Sequence, residues 1–195
     1  KEKNVSITHI GYKKPKDPQN VDQYFVCDID SPEKIQNLNI QREYDYILVA
    51  ESIEKIKNAE EVLEQVQTYL KPSGKMILAV SNIALWFYRL SLLIGRFNYG
   101  QRGPLQKDHV HLYTKDTARQ LVRRSGMEII KEKNVTFPFE VLFESIGKSR
   151  VVKFVEGFYF ILATVWPQMF SYQFIMEAKI TQLNYSRGEG KVSKA

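Results

Sequence analysis

The stretch that decides the fold is residues 44–82, YDYILVAESIEKIKNAEEVLEQVQTYLKPSGKMILAVSN. Residues 45–50 (DYILVA) form an unbroken apolar run of strand length. Such runs belong to strands buried on both faces of a parallel sheet. Asn58 can then cap a helix predicted over 59–70, because Val62, Leu63, Val66 and Leu70 fall on one face at helical spacing. Lys71-Pro72-Ser73-Gly74 is predicted to stop that helix, and 75–80 (KMILAV) reads as a second buried strand. Strand, helix, strand with two apolar strands is the repeating unit of a parallel α/β sheet.

The flanks extend the pattern. Residues 5–10 alternate and end at Gly11, which predicts a short strand. Residues 12–23 carry two prolines and three lysines and read as a loop, and 24–27 (YFVC) read as a second strand ending in Asp28-Ile29-Asp30. Ser31-Pro32-Glu33 has the form of a helix start, with proline at the first helical position. Downstream lie an aromatic helix over 83–94, a glycine-rich loop over 95–107, and a helix capped by Thr114 and closed by Gly126. A strand over 127–135, an apolar helix over 150–165, a break at Trp166-Pro167 and a strand over 170–180 complete the set. The expected fold is α/β, a mostly parallel sheet with helices on both faces and an antiparallel C-terminal edge strand. Residues 1–185 form one domain in this reading, and 186–195 a frayed tail.

Composition narrows the function. The 195 residues include 28 Lys+Arg against 22 Asp+Glu, a formal net charge of +6. The positive residues look dispersed, whereas a nucleic-acid footprint needs a stripe on one face, so no nucleic-acid partner is expected. A single cysteine, Cys27, excludes a disulfide scaffold and points to a reducing, cytoplasmic compartment. No secretory signal pattern opens the sequence. Three histidines and one cysteine offer no zinc spacing, so no metal is expected. The apolar run 158–176 reaches membrane-spanning length, but Pro167, Gln168 and Gln173 interrupt it, and it is read as a buried helix, a break and a buried strand.

In doubly wound sheets, ligands bind at the carboxyl ends of the strands. That rule selects Gly11, Asp28 to Asp30, Glu51-Ser52 and Ser81-Asn82, each directly after a predicted strand.

These residues carry a family likeness. Residues 44–82 resemble the middle of the class I S-adenosylmethionine-dependent methyltransferases of type 11/12, whose pattern is FDxVxxxxVLEHLxDPExxLxxxxxxLKPGGxLxxSVPN. Tyr44-Asp45 stands for its FD, Glu54 for the glutamate of EH, residues 70–74 for LKPGG and Ser81-Asn82 for PN. Residues 95–129 are similar to GRFxYGxxGxLDxTHLRFFTxxSLxxLLxxAGFxI, with His109 on the histidine and Tyr99-Gly100 and Gly103 in its loop. The ending 166–179, WPQMFSYQFIMEAK, is similar to WPxLFAYQFxxxAR, found in a branch linked to cell-surface polysaccharides.

The resemblance implies a Rossmann-like fold and S-adenosyl-L-methionine as cofactor, held at Gly11, Asp28, Ile29, Asp30, Glu51 and Ser52. It implies His109 as general base, and Asn82, Tyr99, His111 and Tyr113 around a small-molecule or glycan acceptor. Three departures stand beside it. The family's GxGxG turn is reduced to Gly11 alone. Lys55 replaces the EH histidine, and His111 stands at an arginine-like position. Spacing leaves two readings open: the strands ending at Gly11 and Asp28 are the family's first and second, or Asp28 ends its third. A methyltransferase-like module that has lost its cofactor and binds a partner is the alternative function. The helix of Trp86, Phe87 and Tyr88 is core or a lid over the site, with peripheral membrane contact through Arg89 and Arg96 as the alternative.

Overall fold

The computed structural model describes residues 6–15, 17–38, 40, 44–50, 52–101, 103–137 and 150–181. Glu51 and the tail 186–195 lie outside the described residues. Among the described residues, six strands form two sheets. Strands β1 (Thr8–Gly11) and β2 (Gln23–Val26) pair in parallel. Strands β3 (Tyr44–Ala50), β4 (Leu70–Ser81), β5 (Met127–Val135) and β6 (Gln173–Ile180) form a second sheet in the order β3-β4-β6-β5. Strand β6 is antiparallel to both neighbours, so β3, β4 and β5 share one direction. The reversed C-terminal strand thus sits one place in from the edge, rather than at it.

The local signals for helices hold. Helix α1 (Pro32–Gln36) starts on its proline, and α2 (Ala59–Val66) runs into a 3-10 turn at Gln67–Tyr69. Thr114 caps α4 (Lys115–Arg124), its side chain and that of Thr117 each accepting the other's backbone N–H. Gly126 ends that helix at φ +76°, a backbone region that favours glycine. Helix α3 (Trp86–Leu93) precedes the long loop, and α5 (Arg150–Val165) and α6 (Pro167–Phe170) meet at the break expected before Pro167.

One core joins α1, α2 and α4 to one face of the larger sheet. Ile35, Leu63 and Val122 from the helices meet Met76, Leu78, Val80, Phe174 and Met176 from β4 and β6. Two expectations are corrected here. Residues 71–74 do not end a helix in a loop; they belong to β4, which begins at Leu70 because Leu70 pairs with Tyr44 across the sheet. Gly74 permits that pairing, since a Cβ there would meet the Tyr44 carbonyl oxygen at 2.8 Å. Among the described residues, strand β3 is covered on one face only: Ile47 and Val49 face the core, while Tyr46 and Leu48 (66% exposed) face outward.

The apolar helix α5 is not a buried helix either. Tyr159 and Ala163 are buried, but Phe154, Phe158, Ile161 and Val165 are exposed. Helix α3 contains no buried residue, which removes the core reading of its aromatics. No helix among the described residues is long and apolar enough to cross a membrane.

Candidate functional site

The site is built where two loops cross above the carboxyl ends of β3 and β4. Glu54, in the loop after β3, is 1% exposed. Its backbone carbonyl accepts the amides of Val110 (2.8 Å) and His111 (2.9 Å), and its Oε1 accepts the amide of Ser81 (2.8 Å). One residue therefore ties the loop after β3 to the end of β4 and to the histidine-bearing segment. Its Oε2 is buried and has no hydrogen-bond partner among the described residues.

Lys55, at the EH histidine position, makes an ion pair with Asp108 at 2.7 Å. That lysine bond, above all, holds the Asp108 carboxyl below its usual range. The lysine acts here as an anchor for the loop that carries His109. His109 Nδ1 lies 3.1 Å from the Pro104 carbonyl oxygen. A carbonyl can only accept, so Nδ1 carries a proton, and in the neutral imidazole Nε2 is then the acceptor. His111 is the reverse case: its Nε2 donates to the Lys57 carbonyl at 2.9 Å.

Lys57 links this segment to the smaller sheet, because its amide donates to Asp30 Oδ1 at 2.8 Å. Asp28 lies beside it, its carboxyl held below the usual range first by Lys34 (3.2 Å) and then by the amide of Asp30. Tyr12, above the same turn, is pushed up to about 12, by burial first and then by its bond to Asp30. Tyr113 is also pushed up to about 12, by burial first and then by the charge of Glu54.

The predicted residues divide into separate places. Asp30 and His111 are joined through Lys57. His111 and Tyr113 line a cavity of about 380 Å³ between the start of α2 and α4, together with Lys57, Thr117 and Arg124. Ser52 donates to the Ala50 carbonyl at 3.0 Å and closes the end of β3. Tyr99 is exposed and stacks edge-on against Phe97 at 5.4 Å. Ile29 packs on the core.

Asn82, expected beside the acceptor, is engaged here as a structural clamp. It is fully buried; its Nδ2 donates to the carbonyls of Gln168 (3.1 Å) and Ser171 (2.8 Å), and its Oδ1 accepts the Ala84 amide (3.0 Å). Glu54 and Lys57 are the residues that spacing alone undervalues. The signal for Glu54 was an acid set between Ile53 and Ile56, both buried.

A family model described as a methyltransferase domain matches residues 5–132. The chain belongs to the methyltransferase-domain family. No curated protein matches the domain by sequence. Three solved structures resemble it in fold. A putative methyltransferase from Bacillus halodurans is 13% identical with a TM-score of 0.51, covering 91% of this chain and 84% of that one. An S-adenosylmethionine-dependent methyltransferase from Archaeoglobus fulgidus is 12% identical with a TM-score of 0.53, covering 89% and 85%. The 1,6-didemethyltoxoflavin-N1-methyltransferase of Burkholderia thailandensis, solved with 1,6-didemethyltoxoflavin and S-adenosylhomocysteine, is 12% identical with a TM-score of 0.55, covering 93% and 64%.

Family membership makes the methyltransferase domain an enzyme with S-adenosyl-L-methionine as its cofactor, and lends no support to the cofactor-free alternative. The residues at the strand ends fit the nucleoside half of that molecule. Asp28 is exposed, and its depressed pKa keeps it an acceptor for hydroxyl or amine donors. The methionine half finds less. Among the described residues before β3 the one glycine is Gly11, and a Cβ there would meet His9 Nε2 at 2.9 Å. The space glycine leaves is taken up by the protein's own imidazole.

Proposed function

We propose that the protein methylates a hydroxyl or amine of a small-molecule or glycan acceptor, with His109 as the general base. The observation that carries this reading is the His109 tautomer. The Pro104 carbonyl fixes a proton on Nδ1, and in the neutral imidazole this leaves Nε2 to accept one. When bound, the cofactor supplies an electrophilic methyl group. The protein's own tasks are then to orient the acceptor, to exclude water and to take the acceptor's proton at Nε2.

Glu54 and Lys55 position this base. Glu54 holds the backbone at 110–111, and Lys55 holds Asp108, the residue before it. Asp28 and Asp30 serve the cofactor's nucleoside, with Gly11, Ile29 and Ser52 shaping the same edge. His111, Tyr113 and Tyr99 serve the acceptor. Polysaccharide-type acceptors are the favoured class, on the likeness of the ending 166–179.

The test is a pair of variants. His109→Asn keeps an N–H for the Pro104 carbonyl but removes Nε2, whereas His109→Ala removes both. General-base loss is expected to lower kcat by roughly 10²-fold or more in both, with cofactor affinity and Tm retained in His109→Asn. A wild-type kcat for His109→Asn on a hydroxyl acceptor would refute the assignment.

A further inference from the structure

Helices α3 and α5 expose apolar side chains in two ordered stripes. On α3 and its C-cap the exposed apolar residues Leu90, Leu93 (83% exposed) and Ile94 share one helical face, with Phe97 exposed in the loop that follows. On α5 Phe154, Phe158, Ile161 and Val165 (79% exposed) share one face, with Val155 and Phe160 exposed off it. The helices are tied together where the Trp86 side chain hydrogen-bonds to Tyr159. Exposed apolar surface of this extent is uncommon on a soluble monomer and marks a place where something docks.

Charge decides what docks. Among the described side chains of these two segments, Arg89, Arg96 and Lys107 stand against Glu156, a net charge of +2. A second copy would set one cationic face against another. An anionic lipid surface complements it: leucines and phenylalanines enter the acyl boundary, Trp86, Tyr99 and Trp166 suit the headgroup level, and the arginines reach the phosphates.

We propose that α3, the loop after it and α5 form a docking face for an anionic membrane, on which the domain lies without spanning. The idea is independent of the acceptor and of His109. It would place the catalytic domain against substrates that are lipid-linked or displayed at a membrane.

Flotation with phosphatidylcholine vesicles containing phosphatidylglycerol, against phosphatidylcholine alone, tests it. The protein is expected to float with the anionic vesicles and to be released by high salt. Leu93→Glu and Phe158→Glu, both at exposed positions, should abolish flotation while leaving the far-UV circular dichroism and Tm unchanged. Arg96→Gln should weaken it by about fivefold, as one interfacial charge lost. Absence of flotation with anionic vesicles would overturn the proposal. So would flotation unchanged in Leu93→Glu and Phe158→Glu, or a concentration-dependent dimer that the same substitutions dissolve.

Discussion

Glu54 separates stability from function, and its replacement by glutamine tests this. The side chain is 1% exposed, one oxygen accepts the Ser81 amide at 2.8 Å, and the other has no hydrogen-bond partner among the described residues. Desolvating a carboxylate costs several kcal/mol in practice, while a charged hydrogen bond returns about 1.5–3 kcal/mol. The arrangement is therefore a net liability. Glu54→Gln keeps the shape, keeps an oxygen for Ser81 and trades the buried charge for an amide nitrogen at the unpartnered Oε2 position, a cost of about 1–3 kcal/mol against the several it relieves. It should raise stability by about 1 kcal/mol, which is roughly 2–4 °C in Tm for a chain of this size. Glu54→Ala leaves the Ser81 amide unsatisfied and opens a cavity, so it should lose about 2–4 kcal/mol. Urea and thermal unfolding measure both. Because the backbone bonds from Val110 and His111 survive, a fall in kcat in Glu54→Gln would report the lost charge itself. A second readout is Tyr113: its pKa should fall from about 12 in Glu54→Gln, but only part of the way, since burial is the larger cause. Glutamine destabilising as much as alanine would refute the reasoning.

The remaining predictions use the loops and the α4–β5 seam. Arg119 grips Glu132 with Nε at 2.6 Å and its second nitrogen at 2.8 Å, and Lys115 adds a pair at 3.2 Å; Glu132→Gln should cost about 2 kcal/mol, or roughly 4–8 °C in Tm. Because those partners hold the Glu132 pKa below its usual 4.5, its contribution is present above that value and lost as pH falls through the lower folded value, so unfolding curves of wild type and Glu132→Gln should converge in acid. Lys55→Met should change stability by less than about 1 kcal/mol, both partners being partly exposed, yet raise KM or lower kcat if Lys55 positions the His109 loop; steady-state kinetics beside a melt separates the two. Gly95 (φ +74°) and Gly103 (φ +87°) share the left-handed strain, but only at Gly103 would a Cβ meet another group, Tyr88 Oη at 3.3 Å; each alanine variant should lose about 1–2 kcal/mol, with Gly103→Ala the worse in a thermal melt.

Much of the fold was legible because its signals are local. Thr114, Gly126, Pro32 and Pro167 act within one turn of chain, and each stands where it was expected. What was not legible depends on partners far away in sequence. Leu70 becomes strand because Tyr44 lies opposite it, and Lys71 to Gly74 follow it there. Residues 45–50 and 150–165 were read as buried from apolarity alone, yet Leu48 and Phe158 find no covering element among the described residues. The site followed the same rule. Asp28, Asp30 and His111 were visible as strand-end or motif residues. The roles of Lys57 as a bridge and of Asn82 as a clamp rest on backbone groups that a sequence does not display.

The strand order bears on the glycine departure. In a doubly wound sheet of order 3-2-1-4-5, the first strand lies between the second and the fourth and pairs with both. Here β1 pairs with β2, and β3 pairs with β4, but no ladder among the described residues joins β1 to β3. The nearest link is a side-chain bond, Tyr44 Oη to Thr8 Oγ1 at 2.9 Å. A first strand would have to pair on both sides, and β1 does not. The order fits β1 and β2 as second and third, β3 and β4 as fourth and fifth, with the first position between β1 and β3 unfilled among the described residues. On that assignment Gly11 ends a second strand, and its missing Cβ makes room for His9, while Asp28 stands at the third strand's end. Amide hydrogen exchange along β3 provides the check. Amides that β4 leaves unpaired should exchange as an edge strand's do, and protection equal to that of β4 would show the position to be filled.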